Sequence, residues 1–395
     1  MQDFRPVGYV VGLMVVTLGV AMCLPLFVDL AEGAESWLVF AKSALVTLAI
    51  GGAVAFACSK GEHDRLTIQQ TFLLTFGVWL TLPFFAALPY MFGATQLDAT
   101  DAIFEAMSGL TTTGATVISG LDTLPKGLLL WRGLTQWLGG IGIIVVAMVF
   151  LPELRVGGMQ IFRSESFDTF GKILPRATEI SSRISVIYIT LTLVCAGAYL
   201  ASGMDVFDAT VHAMTTVATG GFANYDISFA AFSPAAQYFA VIFMMLAALP
   251  FVRFVQLTAG TAEPLLRDRQ IQGFFVTAFN LVLILTLWQW QNQGDLSEAA
   301  FRRVLFNTLS ILTGTGYANA DYMTWGSFPV AMLFFIGRIG GCAGSTSCSI
   351  KVFRYQLLFA SVKVQLQRIY SPHGIFTPRY QGRPVDDDVL TSVMS

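Results

Sequence analysis

Two stretches of the chain carry the same glycine-rich phrase. Thr215–Asp226 reads TTVATGGFANYD and Thr313–Tyr322 reads TGTGYANADY. Each holds Thr, Gly, an aromatic residue, Ala and Asn, with an Asp two residues later. Alignment brings out a third copy. Asp101-Ala-Ile-Phe-Glu-Ala-Met107 matches Asp208-Ala-Thr-Val-His-Ala-Met214, and thirteen residues after each Asp stands a glycine, Gly114 or Gly221. Counting back thirteen from Gly316 reaches Arg303, where the match is weaker, although Ser310 falls on Ser108 and Thr315 on Thr113. The glycines are 107 and 95 residues apart, a period that marks repeated supersecondary units. The chemistry such residues offer is main-chain coordination. Glycine permits backbone angles that turn carbonyls inward, and several carbonyl sets around one axis replace the water shell of a cation. The plainer alternative is a set of tight turns or close helix contacts.

Other chemistries find little support. Three histidines (His63, His212, His373) are far apart, and five cysteines (Cys23, Cys58, Cys195, Cys342, Cys348) have neither disulfide-framework nor CxxC spacing. A bound metal centre and a cofactor are therefore not expected, and no basic cluster suggests nucleic acid. Glu105 and His212 are the notable titratable residues near the phrases, too few for clustered acid, base and nucleophile, so the chain is not read as an enzyme.

The elements that must carry the phrases are apolar. The 395 residues are 55% hydrophobic and 12% charged, against about a quarter charged in soluble domains. Charge-free runs at 6–28, 66–97, 133–152, 184–204, 227–252 and 270–294 each suffice to cross a bilayer, which needs about 20 apolar residues. The shorter 43–59 is read as a further span, and the first run as a retained helix rather than a signal peptide. Basic residues fall in alternate loops, at Lys60 and Arg65, at Arg155, Arg163, Lys172, Arg176 and Arg183, at Arg253, Arg267 and Arg269, and from Lys351 onward. The positive-inside rule makes those loops and the N-terminus cytoplasmic. The phrases then lie in outward-facing inserts around 94–128, 204–232 and 293–326. Each follows a short helix that cannot span the bilayer, and a non-helical segment at membrane depth must line a polar cavity. The short helices would point their negative dipole ends at a cation. Asp101 and Asp208 are read as their N-terminal caps, the alternative being a direct cation-attracting role.

These residues resemble the TrkH/KtrB/HKT superfamily of potassium transporters, and within it the TrkH branch, the membrane subunit of the bacterial Trk uptake system. The supporting stretches are Thr111-Thr-Thr-Gly-Ala-Thr116, Gln136-Trp-Leu-Gly-Gly-Ile-Gly142, Ala218-Thr-Gly-Gly-Phe222 and Gly340-Gly-Cys-Ala-Gly-Ser-Thr346 followed by Lys351. The resemblance covers essentially the whole chain, and two extra spans before the first pore unit favour TrkH over the KtrB pattern. It implies an all-α polytopic membrane protein of span–pore helix–filter loop–span units around a pseudo-fourfold pore. The units are expected at 63–155, 156–265 and 266–370, after two transmembrane helices in 1–62. It further implies K+ uptake across the bacterial inner membrane, a homodimer, and a cytoplasmic nucleotide-binding regulatory subunit of the TrkA type. Carried over residue by residue, the selectivity filter is Thr112, Thr113 and Gly114, then Thr219, Gly220 and Gly221, then Gly314, Thr315 and Gly316. Their departure from TVGYG implies cation preference with less stringent selection of K+ over Na+.

The stretch 340–351 interrupts the span after the third phrase. The resemblance makes it an intramembrane gating loop, with Gly340, Gly341, Gly344, Ser345 and Thr346; the alternative is a close-packed helix kink. Cys348-Ser349 stands where the family often has two glycines. Arg338, just before it, is read either as tuning gating or permeation, or as snorkelling or ion-paired. Trp137 and Gly139-Gly140-Ile-Gly142 are read as helix packing. A fourth unit is not found after the cytoplasmic segment 371–395, so the chain is expected to be C-terminally truncated. A non-conducting structural or regulatory membrane subunit is the alternative function.

Overall fold

The computed structural model describes residues 3–59, 67–145, 177–371, 373–374, 376–385 and 390. The expected cytoplasmic charges Lys60, Arg65, Arg155, Arg163, Lys172 and Arg176, and His63, lie outside them. The chain folds into two compact units: Met1–Gly139 with Phe222–Asp226, and Gly140–Gly221 with Ile227–Ser395.

In the first unit, α1 (Arg5–Ala21) runs almost directly into α2 (Cys23–Glu32), and α3 (Trp37–Cys58) packs back along α1. Small residues make that packing possible: a Cβ on Gly12 would lie 2.7 Å from the Ala55 amide nitrogen. A capping box starts α4 (Ile68–Ala86), in which Thr67 and Gln70 exchange side-chain and backbone hydrogen bonds. There follow α5 (Leu88–Phe92), the short α6 (Ala99–Leu110) and α7 (Lys126–Val145). In the second unit come α8 (Ala177–Ala201), short α9 (Val206–Val217), α10 (Pro234–Ala247), α11 (Phe251–Thr258), α12 (Glu263–Arg267), α13 (Arg269–Gln293), α14 (Glu298–Thr313), α15 (Ser327–Ile336) and α16 (Val352–Tyr370). A two-residue hairpin, Arg379–Tyr380 with Arg383–Pro384, closes on Phe353 and Leu357 of α16 through Tyr380.

Among the described residues, five helices are long and apolar enough to cross a membrane: Arg5–Glu32, Trp37–Cys58, Gln69–Phe92, Ser181–Ala201 and Arg269–Gln293. Large apolar side chains such as Leu45, Phe56, Phe76 and Leu193 are exposed on them, as in helices solvated by hydrocarbon. The run 227–252 is not the single straight crossing its composition allows. It is broken into α10 and α11, bent by 90°, because Pro250 cannot continue the α10 hydrogen-bond ladder. The run 133–152 continues past α7 into residues outside those described.

Candidate functional site

Each Gly/Thr phrase begins where a short helix ends, and the three ends close alike. At α6, Thr112 N–H donates to the Gly109 carbonyl (3.0 Å) and Thr113 N–H to that of Ser108 (2.9 Å). At α9 the bonds run from Thr219 to Thr216 (3.0 Å) and from Gly220 to Thr215 (2.9 Å). At α14 they run from Gly314 to Ile311 (3.0 Å) and from Thr315 to Ser310 (2.9 Å). This pair of bonds is the Schellman cap, which requires a left-handed residue just past the helix. Thr112 (φ 55°), Thr219 (φ 49°) and Gly314 (φ 74°) supply it. Two residues on, Gly114 (φ 78°), Gly221 (φ 79°) and Gly316 (φ 88°) are left-handed again. Threonine in that conformation costs on the order of 1–3 kcal/mol, so two of the three loops hold strain at their first residue.

The helix starts differ from the sequence expectation. Asp98 and Asp205, not Asp101 and Asp208, are the N-caps, and each accepts from the amide three residues on, that of Asp101 or Asp208. A capping side chain precedes the helix and receives the N3 amide, so the first Asp of an Asp-x-x-Asp run takes the role. Ser297 does the same for α14.

Behind the first loop lies a buried ion pair. Glu105 of α6 and Arg132 of α7 meet at 3.0 Å with side-chain exposures of 0% and 1%. Arg132 also donates to the Ala223 carbonyl (2.8 Å) and Thr116 Oγ1 (3.2 Å), and its guanidinium lies 4.1 Å from the Phe222 ring centroid. Glu105 accepts from Thr116 Oγ1 (2.9 Å) and Val117 N–H (3.1 Å). Gln136 Oε1 accepts from Phe222 N–H (3.1 Å), and Asp226 accepts from the amides of Gly120 and Leu121. The segment Phe222–Asp226 is thus bound to the first unit by polar contacts. Gly139 packs on the end of α6, where a Cβ would overlap the Leu110 carbonyl, and one on Gly140 would lie 2.6 Å from the Tyr188 hydroxyl; among the described residues, nothing lies within 4 Å of a Cβ on Gly142.

Counted by repeat, the place of Glu105 is taken by His212 in α9 and Asn307 in α14. His212 packs edge-on to Phe229 and Phe232, with Nδ1 at the Asp208 carbonyl. Asn307 donates to Asn319 Oδ1 (2.6 Å), and Asn319 donates to Gln237 Oε1 (2.8 Å), which also receives Arg302. The second and third loops touch directly: a Cβ on Gly221 would overlap the Thr315 carbonyl.

The stretch expected to be an interrupted span consists of α15, a loop and α16. Its loop is held by helix ends. Thr346 Oγ1 donates to the carbonyls of Val217 (3.1 Å) and Ala247 (3.0 Å), and Ser347 Oγ to that of Thr313 (2.7 Å). Val217 and Thr313 are the last residues of α9 and α14. The loop also splints the α10–α11 break: Cys342 N–H donates to Ala248 (2.9 Å), and Gly344 accepts from Phe251 N–H (2.9 Å). Gly341 N–H donates to Ser347 Oγ, and Ser345 Oγ donates to Cys342. A Cβ on Gly340 would overlap the Cys348 carbonyl. Ser349 has φ 64° and Gly344 φ 74°; the serine adopts a backbone conformation that favours glycine. Lys351 Nζ donates to the Ser347 carbonyl. Arg338 is exposed, with its guanidinium 5.4 Å from the Phe334 centroid, so this charge is not buried.

The TrkH family, described as cation transport protein, matches residues 37–395. The chain belongs to the TrkH family. It is 39% identical to the Trk system potassium uptake protein TrkI of Halomonas elongata over 397 residues, covering 100% of this chain and 80% of that protein. It is 35% identical to the Trk system potassium uptake protein TrkH of Escherichia coli K12 over 398 residues, 99% of this chain and 82% of that one. The crystal structure of the potassium transporter TrkH from Vibrio parahaemolyticus superposes with a TM-score of 0.90 at 32% identity, covering 100% of this chain and 82% of that one.

The chain is therefore an all-α, multi-pass membrane protein of the TrkH family. Sequence reasoning missed Arg132, which sits at the edge of a run counted as charge-free. A single arginine within a largely apolar helix was the available signal. It also missed the hydroxyls of Thr346 and Ser347 as ties to helix ends.

Proposed function

We propose that this chain is the potassium-translocating membrane subunit of a Trk-type uptake system in the bacterial inner membrane, with a cytoplasmic N-terminus. It is a transporter and not an enzyme. Thr112, Thr113 and Gly114, Thr219, Gly220 and Gly221, and Gly314, Thr315 and Gly316 contribute backbone carbonyls to the family's pseudo-fourfold filter, one set from each unit of 63–155, 156–265 and 266–370. The carrying observation is the shared backbone: one helix cap, then left-handed residues at the same two positions, three times over. Carbonyl sets repeated in this way substitute for hydration water around a cation. An inside-negative potential drives inward movement by about 2.3 kcal/mol per charge per 100 mV. Gly340, Gly341, Gly344, Ser345 and Thr346 form the gating loop, a role supported by its bonds to the ends of α9 and α14. A homodimer and a TrkA-type nucleotide-binding partner complete the proposed assembly.

The test is rubidium uptake by potassium-transport-deficient bacteria expressing the protein from its native gene. Wild type should restore uptake, and Gly221→Ser should abolish it at equal membrane abundance, since a Cβ there meets the Thr315 carbonyl. Wild-type protein present in the membrane without uptake would support a non-conducting subunit instead.

A further inference from the structure

Tyr317 follows Gly316 in the third loop and is buried. Its own carbonyl is fixed within its repeat, by Ser310 Oγ at 2.7 Å. Its side chain leaves that repeat. The ring packs on Phe229 (4.4 Å between centroids, tilted by 49°), and the hydroxyl reaches the last turns of α9. There it meets Thr215 Oγ1, Thr216 Oγ1 (3.2 Å) and the His212 carbonyl (3.2 Å). Thr215 and Thr216 are the residues whose carbonyls accept the cap bonds of Gly220 and Thr219. One phenol therefore ties the third loop to the turn that shapes the second. Thr216 is anchored from behind by the Tyr199 hydroxyl (2.8 Å). On the other side of the ring, Phe229 N–H donates to the Ala318 carbonyl (2.9 Å) and Ala318 N–H to Ser228 Oγ (3.3 Å). The same position in the other repeats is Ala115 or Phe222, so no hydroxyl stands there.

We infer that the Tyr317 hydroxyl is a positioning group that fixes the spacing of the second and third loops and thereby sets discrimination between K+ and Na+. The inference rests on the reading of these loops as cation-coordinating. A loop pair that cannot close on a smaller ion leaves that ion poorly coordinated. Tyr317→Phe keeps the ring on Phe229 and removes only the brace.

The experiment measures radioactive rubidium and sodium influx into proteoliposomes holding the full protein. Tyr317→Phe should raise the sodium-to-rubidium influx ratio by about fivefold, the equivalent of roughly one hydrogen bond, while rubidium influx persists. A purely structural role would change the yield or melting temperature and leave the ratio where it was. Thr215→Val removes one of the hydroxyl's three partners and should raise the ratio in the same direction by a smaller factor, and the double variant should go no further than Tyr317→Phe. An unchanged ratio in Tyr317→Phe, or additive effects in the double variant, would overturn the proposal. Should Tyr317→Phe fail to reach the membrane, Thr215→Val alone decides by the same ratio. Wild-type liposomes without rubidium influx would instead refute the reading of the loops, and this inference with it.

Discussion

The first and third loops are alike at the front and unlike behind. At the front, both use the Schellman cap, and both add a serine that holds the carbonyl beyond the glycine: Ser108 on Ala115 (2.6 Å) and Ser310 on Tyr317 (2.7 Å). Both also pair hydroxyls across the cap, Thr111 with Thr113 (2.7 Å) and Thr313 with Thr315 (2.8 Å). Behind, the first loop leans on the Glu105–Arg132 ion pair, and the third on the amides Asn307, Asn319 and Gln237. The front must present one backbone geometry. The back has only to hold its buried polar groups, and two different chemistries do that, with Asn307 Oδ1 behind the third loop left without a hydrogen-bond partner among the described residues.

The difference predicts unequal fragility. Arg132→Met leaves Glu105 buried without its partner and should cost about 3–5 kcal/mol, read as a large drop in melting temperature in detergent. Adding Glu105→Gln removes the orphaned charge, keeps an oxygen to accept from Val117 N–H and offers an amide donor that the Thr116 hydroxyl can accept, and should recover most of the loss. A single variant that melts like wild type would show that the pair is dispensable. In the third loop, Asn319→Leu strands neutral partners only and should cost about 1–3 kcal/mol. A loss equal to that of Arg132→Met would erase the contrast. Smallest, and equal in the two loops, should be Ser108→Ala and Ser310→Ala, at about 1 kcal/mol each. Unequal melting shifts would show that the fronts are less alike than their geometry.

The fronts were legible in the sequence because they depend on local residue types at fixed offsets. Gly114, Gly221 and Gly316 set periods of 107 and 95 residues, and the cap bonds of Thr113, Gly220 and Thr315 repeat at the same offsets. Even Ser310 on Ser108, a weak match by letters, proved to be a shared hydrogen bond. The backs were not legible. Glu105 and Arg132 lie 27 residues apart, and nothing local marks them as partners. The break at Ala248–Pro250 was hidden by composition, which counts apolar residues and ignores what one proline does to a helix. The choice of Asp98 over Asp101 turned on where the helix begins, which a sequence pattern leaves uncertain by a few residues.

The loop between α15 and α16 also has an electrostatic side. Its Thr346 and Ser347 hydroxyls sit on the final carbonyls of α9 and α14, the negative poles of those helices. A loop seated this way carries its own counter-dipoles. If the loop gates as proposed, drawing it aside would clear space and, in the same movement, uncover two acceptors for an arriving cation.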